Sequence, residues 1–216
     1  MNNSNNQEGN YIILEGNSGV GKDTQAYLLQ KWLTDNEINA IIVNEPTRFY
    51  ALCMKYLKRI HIDLDEKNKL LKIVLIFIDR FFLINFKVKP LIRKGITIIS
   101  VRSFISMMVY QFDTFTSRAR VYKFHFFLPK PILIIIYDVD PLISLKRVEK
   151  RGTSNKYHDK LESLRKHRPL YIEISKDFCN KFAVEVIDAS EPLEAVHRKT
   201  INILQPRLKI DDVLNF

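Results

Sequence analysis

The stretch "YIILEGNSGVGKDTQ" (11–25) restricts the fold of this chain more than any other. A short apolar run stops at Gly16, two further glycines follow at 19 and 21, and a helical pattern opens at Lys22 and reaches about Asp35. Strand, glycine loop and helix start come in the order that lets backbone N–H groups converge on an anion. Lys22 adds the reach of a cation. The pattern G-x-x-x-x-G-K-[ST] asks next for a hydroxyl, the group that ordinarily ligates the Mg²⁺ of a bound nucleotide. Here Asp23 stands in its place. A carboxylate is a harder and more charged magnesium ligand, so the loop is expected to hold ATP and Mg²⁺, with Asp23 as metal ligand. The ATP contacts fall to Gly16, Asn17, Ser18, Gly19, Val20, Gly21, Lys22, Asp23 and Thr24, the last of which is read as mainly structural.

The rest of the chain alternates in the same way. "AIIVNEP" (40–46), "GITIISV" (95–101), "PILIIIYDVD" (131–140) and "FAVEVIDAS" (182–190) read as strands. Helical stretches separate them, one running over 70–94 and bent or interrupted by Pro90, whose missing N–H breaks the ladder. Continuous apolar strands between helices predict a parallel sheet covered on both faces, an α/β fold in three layers with five strands. Residues 1–10 read as a flexible tail and 11–216 as one domain.

Apolar and aromatic residues make up 46% of the chain, which excludes a disordered protein. The longest apolar run, around "ILIII" at 132, is too short to cross a bilayer, and "MNNSNNQEGN" lacks the features of a signal peptide. Cys53 and Cys179 show no metal-ligand or disulfide spacing and are read as buried small hydrophobes. A soluble cytoplasmic protein is expected. The net charge of +10 admits a nucleic acid, a membrane surface or a small anionic substrate. Between Lys146 and Arg168, nine Lys or Arg face three acids. Arg147 and Arg151, four apart, share one helical face there.

Five ordered segments resemble the thymidylate kinase family: "GKDTQ" (21–25), "NEPTR" (44–48), residues 74–111 ending in "VRSFISMMVYQ", "YDVDPLISLKRVEKRG" (137–152) and "VIDASEPLEAVHRK" (186–199). The likeness runs from about Tyr11 to Leu204. It implies a P-loop kinase fold, a lid at about 147–160, and transfer of phosphate from ATP to a pyrimidine deoxynucleoside monophosphate. A homodimer packed through helices is implied too, with neither a nucleic acid nor a membrane as partner. By position, Arg80 matches the arginine on the thymine ring and Arg102 the one holding the acceptor phosphate. Tyr110 matches an aromatic against the sugar, Ser106 and Gln111 polar residues of the same pocket, and Glu45 the acid of the turn before proline. Arg147 and Arg151 match the lid arginines, which with Lys22 and Arg102 make up the catalytic set.

The departures from the family pattern fall at the metal and the base. Ser18 and Val101 stand where acids are usual, Asn44 where an arginine is common, and Ile76 where a phenylalanine stacks on thymine, with Phe77 adjacent. An arginine expected after "EP" is missing, leaving Arg48, Lys55 or Lys58 as substitutes. One reading has Asp23 compensate for Val101 as the metal-binding carboxylate, and the other makes its charge beside the phosphates a handicap. Two other readings stay open at this point: a deoxynucleoside kinase with Glu45 as base, or a weakly active relative that only binds nucleotide.

Overall fold

The structure, a computed structural model, describes residues 8–62, 68–112, 115–152 and 160–208, with 115–117 as backbone only. Five strands form one parallel sheet in the order β2-β3-β1-β4-β5: β1 (Tyr11–Gly16), β2 (Ala40–Asn44), β3 (Thr97–Val101), β4 (Leu133–Asp138) and β5 (Val184–Asp188). β1 lies at the centre, Leu14 level with Val101 on one side and Ile135 on the other. Alternate β1 residues serve opposite layers, as the strand period requires. Ile12 and Leu14 join Ala26, Leu29 and Leu33 of α1 (Lys22–Asp35) and Val196 and Leu204 of α9 (Leu193–Leu204). Tyr11 and Ile13 join Phe104, Ile105 and Met108 of α5 (Phe104–Gln111) and Tyr171, Ile174 and Phe178 of α8 (Leu161–Phe178). The expected three layers are therefore present, and every strand pair is parallel.

α2 (Arg48–Arg59) and α3 (Lys69–Leu83) follow β2, and α6 (Phe115–Phe124) and α7 (Pro141–Arg151) flank β4. The helix expected over 70–94, bent or interrupted by Pro90, stays helical throughout, with its irregularity just before the proline. α3 runs into a π-helical turn (Ile84–Val88) and then α4 (Lys89–Arg93), with Pro90 in the first turn of α4. Helical backbone runs through both junctions, so Pro90 costs one ladder bond there, and the wider turn just before it makes room for the ring.

Residues 1–7, most of the expected tail, lie outside the described residues, as do 153–159 of the expected lid and 63–67 of the linker. Gly9 and Asn10 are not loose: Gly9 N donates to Ile92 O (2.8 Å) and Asn10 N to Thr97 Oγ1 (3.4 Å). The cysteines correct another expectation. Cys53 is only half-buried on α2 and Cys179 is exposed at the end of α8, where its Sγ lies 3.0 Å from Lys176 O. Position at a helix terminus outweighs residue type there.

The glycine loop packs directly on α7. Gly19 has φ +79°, and a Cβ added to it would stand 2.4 Å from Ser144 O, whereas one added to Gly21 (φ +94°) meets nothing within 4 Å. Gly19→Ala is expected to lower stability by about 1–3 kcal/mol, or several degrees in Tm, and by more than Gly21→Ala. Equal losses in thermal melts of the two variants would show that backbone conformation alone, and not the α7 contact, sets the requirement.

Candidate active site

Parallel strands end together, so β1, β3 and β4 deliver their following residues to one edge of the sheet, where such folds bind ligands. β1 delivers the glycine loop. Gly21 starts α1 in a left-handed conformation with no side chain capping it, so the first-turn N–H groups are offered to an anion. Lys22 is buried and donates from Nζ to Asn17 O (2.9 Å), arching over its own loop. Burial lowers its pKa from 10.5 to about 7, and the charge on Arg102 pushes the same way. Asn17 donates from Nδ2 to Leu164 O (2.8 Å), docking the loop on α8, while its Oδ1 is buried and lacks a partner among the described residues. Ser18 and Val20 are buried, and Asp23 and Thr24 are exposed on the first turn of α1. Gln25 is a brace: its Nε2 donates to Leu193 O (3.2 Å).

β3 delivers Arg102, whose φ of 72° is unusual for a residue with a side chain. Its N donates to Leu14 O (3.0 Å), and its Nη1 donates to Tyr110 OH (3.4 Å). Behind it lies a buried residue missed in the sequence, Glu15. Glu15 Oε1 accepts from Ser103 Oγ (2.8 Å) and Ser106 N (3.1 Å), and Oε2 from Ser106 Oγ (2.7 Å), with Tyr171 OH 3.5 Å away. Ser106, expected to line the acceptor pocket, therefore turns its hydroxyl to a carboxylate within the protein. The available signal was a lone acid closing an apolar strand directly before Gly16. Tyr110 is half-buried, edge-on to His167 (4.6 Å between ring centres), and Gln111 is buried at the end of α5.

The third component surrounds Arg80. It is buried on α3, with Nε paired to Glu45 Oε2, and Nη1 lies 2.8 Å from His125 Nε2 and 3.4 Å from Met107 Sδ. His125 Nδ1 sits 2.6 Å from Val121 O, a contact that only an N–H can make, so Nε2 is the acceptor for Arg80. Burial, with the Arg80 charge, lowers the His125 pKa to about 4 and keeps the ring neutral. Burial raises the Glu45 carboxyl against the pull of Arg80, and Glu45 Oε1 is buried without a partner among the described residues. Asp79, the neighbour of Arg80, accepts from Thr47 N (2.8 Å) and from the Thr47 hydroxyl. Together Asp79 and Arg80 fasten the "NEPTR" turn to α3. Phe77 is edge-on to His125 (5.5 Å), and Ile76 is half-buried beside it. Arg48 and Lys55 lie exposed along α2.

The two arginines of α7 diverge. Arg147 donates from Nη1 to Ala189 O (2.9 Å), tying α7 to the end of β5. Arg151 is exposed at the helix end, near enough for its charge to act on Lys22. Arg168 of α8, noted in the sequence only as part of the basic segment, grips Asp138 at the end of β4 through two 2.8 Å bonds. Among the described residues no group of three or more His, Cys, Asp or Glu could hold a metal. An exposed Asp23 beside a phosphate loop fits Mg²⁺, which typically takes one or two carboxylates and is otherwise held by substrate phosphates and water.

A family model described as thymidylate kinase matches residues 14–200. The chain belongs to the thymidylate kinase family. It is similar to a probable thymidylate kinase of Pyrococcus abyssi, with 28% identity over 203 residues that cover 93% of this chain and 98% of the relative. It is also similar to a thymidylate kinase of Francisella tularensis subsp. holarctica, with 29% identity over 207 residues, covering 90% and 94%. Within this thymidylate kinase-family chain the departure at Val101 is structural as well as chemical. Val101 is 3% exposed and belongs to the same apolar cluster as Leu14, Val20 and Ile99.

Lys22 gives a pH prediction. Phosphates would favour its charged form, lifting the pKa back from about 7 toward 10.5, so between those values nucleotide binding takes up a proton. Calorimetry at about pH 8.5, where ATP is fully ionised, is expected to give a binding enthalpy that varies with the ionisation enthalpy of the buffer. Lys22→Met should abolish that variation. Binding without buffer dependence in the unaltered protein would contradict the lowered pKa.

Proposed function

We propose that this chain transfers the γ-phosphoryl group of ATP to dTMP, yielding dTDP and ADP. The observation that supports this most is the approach of Lys22 and Arg102, two cations delivered by adjacent strands, at the meeting point of the glycine loop and the acceptor side. Phosphoryl transfer depends mainly on positioning and charge neutralisation. An acceptor phosphate oxygen forms the new bond to the γ-phosphorus as the bond to the β,γ-bridging oxygen breaks. No proton has to leave the acceptor, so no general base is needed. Lys22 and the α1 amides hold the donor phosphates, Arg102 holds the acceptor phosphate, and Arg151 supplies charge from α7. Asp23 would hold Mg²⁺ together with the phosphates, and the ion would supply further neutralisation.

Arg80 serves the base. Its Nε and Nη1 are committed to Glu45 and His125, so recognition of the thymine edge falls to Nη2, with Phe77 and Ile76 forming the apolar wall and Tyr110 beside the sugar. Glu45 acts here as the anchor of Arg80. A base role, as in a deoxynucleoside kinase, would require it to leave that buried pair. Mg-ATP turnover is expected with dTMP, more weakly with deoxyuridine monophosphate, and not with thymidine. Turnover with thymidine alone would replace this reading. Arg102→Met is expected to lower kcat/KM for dTMP on the order of 10²-fold, the loss of a charge-assisted contact of about 2–3 kcal/mol. An effect confined to the KM for ATP would place Arg102 in the wrong pocket.

The protein acts in this reading as a cytoplasmic homodimer. Both cysteines are free, and among the described residues no helix is long and apolar enough to cross a membrane. Leu70 (74% exposed), Phe82 (54%) and Phe86 (71%) lie along α3 and the π turn, the last two stacked at 5.5 Å. Leu52 and Tyr56 of α2 are exposed as well. Such apolar surface marks an interface. Phe82→Ser with Phe86→Ser is expected to convert a dimer to a folded monomer in light scattering. A monomeric unaltered protein at micromolar concentration would refute the dimer.

A further inference from the structure

A cavity of about 350 Å³ lies on the face of the sheet covered by α5, α6 and α8; His125 of the Arg80 network lines it, but no residue of the glycine loop and none expected to touch the acceptor does. Its inner surface is apolar and aromatic, from Ile13 of β1 to Phe104, Tyr122 and Phe182. Its rim is basic. Lys123, Lys130 and Lys181 are all exposed lining residues, and the lining contains no carboxylate. Lys181 Nζ stands 4.6 Å above the Tyr122 ring, so one cation is already held against the aromatic wall. The volume falls in the range of small-molecule sites, about 300–1,000 Å³. The tilted and edge-on rings of Phe104, Tyr122 and Phe182 under a one-sign rim suit an aromatic body bearing negative charge.

His125 forms part of the same wall, and its far nitrogen is the acceptor that holds Arg80. Phe104 lies against both His125 and Tyr122 (5.9 Å between ring centres in each case), so the packing is continuous from the cavity to the base-side arginine. We propose that this cavity binds a small aromatic anion, and that occupancy is coupled to the acceptor site through His125 and Arg80. A ligand filling the space behind the imidazole holds the ring in place, and with it Arg80 Nη1. The coupling rests on the acceptor reading given above, whereas the site itself does not.

The test uses the full chain with the glycine loop saturated by ADP, and the fluorescent aromatic sulfonate 1-anilinonaphthalene-8-sulfonate as probe. Lys130→Glu with Lys181→Glu should weaken probe binding about tenfold, the scale of a lost charge-assisted contact, and leave turnover without probe unchanged. Phe82→Ser with Phe86→Ser should leave probe affinity unaltered. Saturating dTMP should tighten the probe about fivefold, and the probe should tighten dTMP by the same factor, since linkage is reciprocal. Probe affinity indifferent to the two lysines, or lost with the two phenylalanines, overturns the site. Probe affinity unchanged or weakened by dTMP overturns the coupling. Calorimetry of dTMP without probe separates the readings: if dTMP does not bind, the acceptor assignment fails and the coupling with it, while the lysine variants still decide the site.

Discussion

A carboxylate that water does not reach stands at the end of the central strand. Glu15 is fully buried, and a buried carboxylate is tolerated only when donors surround it. Its donors come from two places, Ser103 and Ser106 at the start of α5 and Tyr171 in the middle of α8. The residue after Glu15 opens the glycine loop, and the residue before Ser103 is Arg102. One acid therefore fixes the distance between the loop that would hold ATP and the arginine that would hold the acceptor. It also accounts for the positive φ of Arg102. Once β3 ends at Val101 and Ser103 must reach Glu15, Arg102 bridges the two in a conformation that a free chain rarely adopts.

The second polar centre is joined to the first through α5. Ser106 faces Glu15, and the next residue, Met107, lies against Arg80. The acceptor phosphate and the acceptor base would thus be read by two buried networks sharing one helix of eight residues. In the Arg80 network each member lacks an alternative. Arg80 is buried, His125 is neutral with its hydrogen on Nδ1, and Glu45 keeps one oxygen on the guanidinium. Such chains specify position more than they add stability, because breaking one link leaves a buried group unsatisfied.

The sheet and α1 were legible in the sequence because their causes are local. Apolar runs, the glycine spacing and the helical period at 22–35 each act over a few residues, and the boundaries of α1 coincide with those expected. The long-range polar pairs were not legible. Nothing near His125 in sequence indicates that it faces Arg80, 45 positions away, and nothing in "ARVYKFHFF" separates it from a surface histidine. Ser106 and Arg147 were assigned by position in a motif, and the fold directs them to Glu15 and to Ala189. Pro90 marks in the sequence that the helix must be irregular near it, but not that the irregularity is a π turn over the five residues preceding Lys89.

Val101 gives the departures a common physical sense. A carboxylate at the end of β3 would have added negative charge directly before Arg102 in the sequence. The valine instead extends the apolar layer of Leu14 and Val20 to the edge of the site. The acids that still act on Lys22 are Asp23, exposed on α1, and Glu15, already occupied by hydroxyls. Burial first, and then the charges on Arg102 and Arg151, outweigh these two acids, which is why the Lys22 pKa falls. Phosphates are the groups able to reverse both effects at once, since they bring charge and acceptors together to the place the protein leaves without them. With Val101 buried in the apolar layer and Asp23 exposed on α1, neutralisation of Lys22 and Arg102 would fall less to the sheet than to whatever binds.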